Sequence, residues 1–186
     1  MTAQPAYSSG PREPPLRAET IGRMWDEAVA AHGPSDALVS RHQGIRWTYE
    51  QLGAEVDRCA RALLAAGVAR GDRVGIWSPN NAEWVVVQFA TAKIGAILVN
   101  VNPSYRAHEL EYALRQSGCS LLILVPGFKD ADYVQLLREV DAPALRRQVV
   151  LGEGWEELLA QADGIPAEAL RAREAELDFD QPINIQ

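Results

Sequence analysis

Cysteine and histidine are scarce in this 186-residue sequence. The two cysteines, Cys59 and Cys119, lie far apart and form no CxxC pair, which argues against a disulfide scaffold or a thiolate metal site. We expect both to fill apolar positions in a reducing compartment. The three histidines, His32, His42 and His108, have no metal-ligand spacing, so the sequence predicts no metal site.

Long apolar runs are also missing. No stretch reaches the roughly 18 apolar residues that predict a membrane-spanning helix. Residues 1–19 are rich in proline but have neither the apolar core nor the cleavage pattern of a secretory signal, so they predict a flexible arm. These absences predict a cytoplasmic protein without a transmembrane segment.

Basic residues are fewer than acidic residues. The sequence has 18 Lys and Arg against 25 Asp and Glu, a net charge of -7, and no basic cluster interleaved with aromatic residues. This balance disfavours nucleic acid as a partner. The content of 47% hydrophobic and 23% charged residues is typical of a globular protein that buries one core.

Several catalytic and phosphate-binding motifs do not occur. The sequence contains neither GxGxxG nor GxxxxGK[ST], which disfavours a dinucleotide site or a P-loop, and no serine lies in GxSxG. The acidic clusters, Glu109 with Glu111 and residues 153–157, have the spacing of an exposed helix face. We interpret them as surface charge rather than as catalytic carboxylate pairs.

The N-terminal third predicts a helix, a hairpin and a second helix. Apolar residues with helical spacing follow Thr20, and two short β-prone runs then flank a turn that ends at Gly44. Thr48 and Gln51 match a capping box for the second helix. Gly67, followed by an apolar residue, predicts a Schellman stop.

From Gly71 onward, unbroken apolar runs alternate with helical segments. This order predicts an α/β fold with a parallel sheet, right-handed crossovers and helices on both faces. The predicted strands are 73–77, 96–101 and 120–125, and the predicted crossover helices are 82–94 and 107–116. After Pro126 the expected elements are helices at 133–140, 155–162 and 167–175, a strand at 148–151, and a last strand beginning near Ile183.

Ligands of an open parallel sheet bind beyond the carboxyl ends of its strands. The candidate edge therefore consists of the loops 78–81, 102–105 and 126–129. The candidate site positions on it are Ser78, Asn80, Asn102 and Tyr105. Purely structural roles compete with this interpretation, since Asn80 is spaced to cap the next helix with Glu83 and an Asn-Pro pair is a common turn.

Four segments, in their order and spacing, resemble the N-terminal region of the adenylate-forming superfamily of acyl-CoA synthetases, luciferases and peptide-synthetase adenylation domains. They are Trp47–Leu52, Gly71–Asn80, Gly95–Pro103 and Glu109–Tyr112. Residues 100–112 and 181–186 are most similar to fatty-acyl-CoA ligases of the medium-chain type. The resemblance covers residues 20–186.

The resemblance implies a two-step ligase reaction. A fatty acid and ATP form an acyl-adenylate, and coenzyme A then displaces AMP; magnesium accompanies the ATP. The glycine-rich phosphate loop of the family follows directly after a strand like Ile183–Gln186. Residues 20–186 are therefore expected to be the first α/β subdomain, ending before that loop, with no catalytic or cofactor-binding residue and no activity alone.

Two other hypotheses remain open. The chain could be a stand-alone α/β module for binding or oligomerisation, or a flavodoxin-like protein, for which the loop after Trp77 is a poor phosphate cradle. For a ligase subdomain, the expected partners are the remainder of the enzyme and, through it, the fatty acid. Self-association through an unpaired sheet edge is also expected.

Overall fold

The computed structural model describes residues 10–11 and 13–186. Most of the predicted arm at 1–19 lies outside these residues. The described helices are α1 Ile21–His32, α2 Tyr49–Ala65, α3 Ala82–Ile94, α4 Ala107–Ser117, α5 Tyr133–Arg138, α6 Glu153–Ala160 and α7 Ala167–Ala175. The described strands are β1 Asp36–Ser40, β2 Ile45–Thr48, β3 Arg73–Trp77, β4 Ile97–Val101, β5 Leu121–Leu124, β6 Gly127–Phe128, β7 Ala131–Asp132, β8 Arg147–Val150 and β9 Asn184–Ile185.

A five-stranded sheet lies at the centre, in the order β8-β5-β3-β4-β9. Every neighbouring pair is parallel, and Val74 of the middle strand is in register with Leu98 on one side and Leu121 on the other. Unbroken apolar strands form such a sheet because helices cover both of its faces. The predicted α/β class is confirmed.

Two apolar layers flank the sheet. On one face Val74, Ile76 and Leu98 pack with buried residues of α1, α2, α3, α6 and α7. On the other face Trp77 and Val99 pack with residues of α4 and α5. The β1–β2 hairpin packs onto the first layer, so the two faces carry different sets of elements.

The N-terminal elements follow the predicted boundary signals. The Thr48 hydroxyl accepts from the backbone N–H of Gln51, and the Gln51 side chain accepts from the N–H of Thr48, which completes the capping box. At the other end of α2, Gly67 has φ +81°. The N–H of Val68 reaches the carbonyl of Leu63 at 3.0 Å, as in a Schellman motif.

Both cysteines are buried and unpaired, as expected. Burial raises the pKa of the Cys119 thiol to about 11 and that of Cys59 further. Both therefore remain protonated thiols near neutral pH and fill apolar positions.

Several predicted elements begin or end one or two residues from their expected bounds, including the helices predicted at 133–140 and 155–162, which are 133–138 and 153–160, and the strand predicted at 148–151, which is 147–150. Two further local features differ from the sequence expectations. The loop after β5 contains a small antiparallel hairpin, β6–β7, that the pattern did not predict. The N-cap of α3 is Asn81, whose side-chain oxygen accepts from the N–H of Trp84 at 2.9 Å, so the assignment of this role to Asn80 was wrong.

Candidate functional site

The loops after β3, β4 and β5 meet at the carboxyl edge of the sheet, because parallel strands end on the same side. The predicted site residues lie on two of these loops. Ser78 is buried, and its hydroxyl donates to the carbonyl of Pro79 and accepts from the amide of Asn81, both at 2.8 Å. Asn80 is exposed beside them.

The loop after β4 carries the other two candidates. Asn102 is exposed, and its side-chain oxygen accepts from the N–H of Ser104 at 2.9 Å. Tyr105 is half-buried and packs against the layer that contains α4. In the described part of the chain, no hydrogen bond joins the side chains of Ser78, Asn80, Asn102 and Tyr105 to one another.

Two aromatic residues hold the β4 loop in place. The indole N–H of Trp77 donates to the carbonyl of Asn102 at 3.1 Å, and the hydroxyl of Tyr133 donates to the carbonyl of Pro103. The Trp77 and Tyr133 rings are stacked, 3.6 Å apart and nearly parallel. The three strand-end loops thus form one connected edge, in which Trp77 both fills the core and clamps a loop.

The β6–β7 hairpin lies in the loop after β5, the third loop of this edge. Its turn residue Lys129 has φ +55°, and its ammonium lies over the ring of Phe128. Arg106 and Asp130 form an ion pair at 3.1 Å that joins the hairpin to the start of α4, and this hydrogen bond lowers the pKa of Asp130.

The N-termini of both crossover helices are occupied by side chains of this chain. The Gln43 side-chain oxygen, from the β1–β2 turn, accepts from the N–H of Ala82 at 2.7 Å. At α4 the Glu109 carboxylate accepts from the N–H of Arg106 at 3.1 Å. Hydrogen bonds from its own backbone N–H and that of Arg106 lower the pKa of Glu109. Several of the donors with which these two helix ends could hold an anion are therefore already engaged.

The histidines occupy the predicted kinds of position. His32 ends α1, His42 lies in the hairpin turn and His108 is exposed on α4. Within the described residues, no group of three or more His, Cys, Asp or Glu side chains is placed to hold a metal ion.

A buried lysine lies away from this edge. Lys93 of α3 has a side chain 2% exposed, and its Nζ lies 2.5 Å from Asp26 of α1, 2.6 Å from Asp57 of α2 and 3.0 Å from Glu174 of α7. Burial opposes its charge, but the contacts with Asp26 and Asp57 outweigh burial and raise the pKa of Lys93. The charged ammonium of one α3 residue therefore contacts carboxylates from three other helices, α1, α2 and α7.

The profile of the AMP-binding enzyme family matches residues 25–186. The chain belongs to this family of AMP-binding enzymes. It is 45% identical over 125 residues to the medium-chain acyl-CoA ligase ACSF2, mitochondrial, of Bos taurus, which covers 67% of this chain and 20% of that relative. The ACSF2 of Rattus norvegicus is 36% identical over 211 residues, covering 97% of this chain and 33% of the relative.

A solved structure agrees with the sequence relatives. The inhibitor-bound N-terminal domain of FACL13 from Mycobacterium tuberculosis superposes with a TM-score of 0.69 at 27% identity, over 80% of this chain and 36% of that one. The predicted resemblance to the N-terminal region of acyl-CoA ligases is confirmed. This chain spans about a third or less of the length of the curated relatives named here.

None of the helices in the described part of the chain has both the length and the apolar character needed to cross a membrane.

Proposed function

We propose that this chain forms the first α/β subdomain of an ATP-dependent fatty-acid:CoA ligase, as a scaffold for catalytic groups supplied by the rest of that enzyme. The proposal rests on the family match over residues 25–186 and on relatives described as medium-chain acyl-CoA ligases. In this proposal the boundaries are an N-terminal arm at 1–19 and a subdomain at 20–186.

The observation that carries the scaffold role is the state of the carboxyl edge. An anionic phosphate needs several free N–H or hydroxyl donors pointing at one place. At this edge the Ser78 hydroxyl and the first N–H group of α3 are engaged with Pro79 and Gln43. The N-terminal turn of α4 carries its own carboxylate at Glu109.

From these engaged donors, and since no group of three or more His, Cys, Asp or Glu side chains in the described part of the chain is placed to hold a metal ion, we infer that the described residues do not hold ATP or its magnesium ion. We assign ATP, magnesium and coenzyme A to the remainder of the ligase and propose that this chain alone binds none of them. Ser78, Asn80, Asn102 and Tyr105 are proposed to border the ligand edge in the assembled enzyme without holding phosphate.

The test compares four proteins: this chain alone, the Rattus norvegicus ACSF2, the same ACSF2 without the third that matches this chain, and a chimera in which this chain replaces that third. We expect the chain alone to show no ATP–pyrophosphate exchange with any fatty acid. The chimera should form acyl-CoA, and ACSF2 lacking that third should not.

Exchange by the purified chain alone would contradict the scaffold role. A chimera that folds cooperatively yet forms no acyl-adenylate would favour the stand-alone binding or oligomerisation module instead.

The cellular compartment is a separate proposal. Unpaired Cys59 and Cys119 agree with a reducing compartment, and we propose the cytoplasm. The ACSF2 relatives are described as mitochondrial. Fractionation of cells that express the protein decides between the two, and recovery with mitochondria would contradict the proposal.

A further inference from the structure

A small cavity lies at the amino ends of β5 and β8, on the side of the sheet opposite to the carboxyl edge. Its volume is about 300 Å³. It is lined by Gly67 and Val68 after the end of α2, by Ser120 before β5, and by Arg146 and Arg147 at the start of β8. None of the described residues that line it is acidic, although the chain carries a net charge of -7.

Two side chains of this chain hold the arginines in place. The guanidinium of Arg146 donates to a carboxylate oxygen of Asp72 at 3.1 Å, and that of Arg147 donates to the side-chain oxygen of Gln161 at 3.2 Å. A guanidinium has five N–H donors, and in the described part of the chain each of these two uses one in a hydrogen bond. The others are available to an acceptor in the cavity.

The charges around the cavity favour an anion. Arg146 and Arg147 carry two positive charges, and Asp72, in contact with Arg146, carries one negative charge. The carboxyl end of α2 would repel an anion, but carbonyls of its last turn accept from the backbone N–H groups of Gly67 and Val68, both at 3.0 Å. These two hydrogen bonds offset part of the negative helix end.

The size of the cavity and its two guanidinium groups indicate which anion fits. Guanidinium groups bind phosphate oxygens through paired N–H donors. A volume of about 300 Å³ is at the lower limit for organic ligands, so the cavity suits an inorganic anion better than a nucleotide. Inorganic pyrophosphate offers two phosphoryl groups, one for each arginine.

We propose that this cavity is a binding site for a small anion of the diphosphate class, held by Arg146 and Arg147. The bound anion joins the start of β8 to the loop after α2. The site is separate from the carboxyl edge and uses none of the residues placed there. It therefore does not depend on the proposed ligase function.

Calorimetric titration of this chain with inorganic pyrophosphate, at constant ionic strength and without divalent cations, tests the proposal. We expect saturable binding of one anion with a Kd of about 1 mM or lower. In NMR spectra, the amide signals of residues 66–68, 120–121 and 146–147 should shift with the same Kd. Absence of saturable binding up to about 10 mM, or shifts confined to other residues, would overturn the proposal.

Substitutions show whether the two arginines form the site. Arg146→Gln and Arg147→Gln should each weaken binding at least about tenfold, because each removes charge-assisted hydrogen bonds. Arg171→Gln is the matched control: Arg171 is 64% exposed and paired with Glu168, as Arg146 is 67% exposed and paired with Asp72. Equal weakening in all three variants would reveal general charge attraction and overturn the proposal. If Arg147→Gln does not fold, the exposed position 146 decides.

Other anions test the assigned class. Inorganic phosphate should bind several-fold more weakly than pyrophosphate, and equal affinity would overturn the assignment to a diphosphate. Magnesium-bound ATP should not displace pyrophosphate, because the ion already neutralises part of its phosphate charge. Displacement would overturn the assignment to an inorganic anion. These measurements involve no ligase activity, so an inactive chimera would contradict the proposed function and leave the anion site standing.

Discussion

At the scale of single residues, Lys93 holds α1, α2 and α7 on α3 through Asp26, Asp57 and Glu174. Lys93→Met should lower the free energy of unfolding by about 2–3 kcal/mol, because three carboxylates are left without a cation. Half-exposure of Asp26 and Asp57 keeps the loss from being larger. Urea denaturation at pH 7 measures it.

A surface ion pair on α1 serves as the control for this prediction. Arg23 is exposed and lies 3.4 Å from Glu27. Arg23→Met should change the unfolding free energy by less than about 0.5 kcal/mol. If the Lys93 variant is as stable as the Arg23 variant, the cluster does not hold the helices together.

The same cluster gives a pH dependence through Glu174. Burial, with Asp26 and Asp57 adding to it, raises the pKa of Glu174 above its ordinary value of 4.5, although Lys93 opposes the rise. The folded state then binds this proton more tightly than the unfolded state. The stabilisation that comes from this raised pKa of Glu174 is fully present below pH 4.5, and it is lost as the pH rises through the folded-state pKa.

When the pH rises from 4.5 to 7, the free energy of unfolding of the Glu174→Gln variant should therefore fall by less than that of the wild type. Urea midpoints at both values measure the difference, and Glu157→Gln, at an exposed position on α6, should follow the wild type. Parallel pH curves for wild type and Glu174→Gln would show that the carboxyl titrates as it does in the unfolded chain.

The sequence did not predict the Lys93 cluster, for a physical reason. A lysine in the last turn of a helix is favoured by the helix dipole alone and needs no buried partner. The three carboxylates come from helices far apart in the sequence, so no local spacing signals them. The α3 cap was misassigned because Asn80 and Asn81 are neighbours and both are good caps. The additional acceptor at this helix end, Gln43 on the N–H of Ala82, comes from a distant hairpin and has no local signal.

At the scale of elements, the capping box of α2 can be tested directly. Thr48→Ala should cost about 1 kcal/mol, because the N–H of Gln51 loses its acceptor. Thr48→Ser keeps the hydroxyl and should remain close to the wild type in its urea midpoint. Equal loss in both variants would point to packing of the threonine methyl instead of capping.

Alanine substitutions at two glycines that follow helix ends can distinguish the cost of backbone strain from the cost of steric crowding. Gly67 has φ +81° with open space around it, so Gly67→Ala should cost about 1 kcal/mol. Gly95 has φ +72°, and a Cβ there would lie 2.5 Å from Leu177 Cδ2. Gly95→Ala should cost more than Gly67→Ala, because the Leu177 methyl group and the Arg70 side chain, whose Cγ would lie 3.0 Å away, must shift to make room. Equal thermal melts of the two variants would contradict this steric contribution.

Most elements were predictable because their signals are local. The crossover helices end at glycines and the central strands are unbroken apolar runs, so β3 and α3 have the predicted bounds. The helix α7 also has its predicted bounds, 167–175. The β6–β7 hairpin escaped prediction because its turn uses Lys129 at positive φ, where glycine would have signalled it. The carboxyl edge was located from topology alone, but the Trp77–Tyr133 clamp depends on tertiary contact.

At the scale of the whole molecule, we expect the isolated chain to self-associate weakly. Tyr112 and Ile185 expose apolar surface beside the β9 edge, while the net charge of -7 opposes contact between copies. Light scattering at rising concentration should show a discrete oligomer or slow aggregation that grows with added salt. A strictly monomeric chain at every concentration and salt level would contradict this expectation.

The strand order also has a consequence for synthesis on the ribosome. β3, β4 and β5 follow one another in the chain and can pair early, but β9 joins β4 only after about eighty further residues. At about 5–20 residues per second, one side of β4 stays open for on the order of ten seconds in every nascent chain. Codons that slow translation between residues 102 and 183 would lengthen that interval and increase the demand for chaperones.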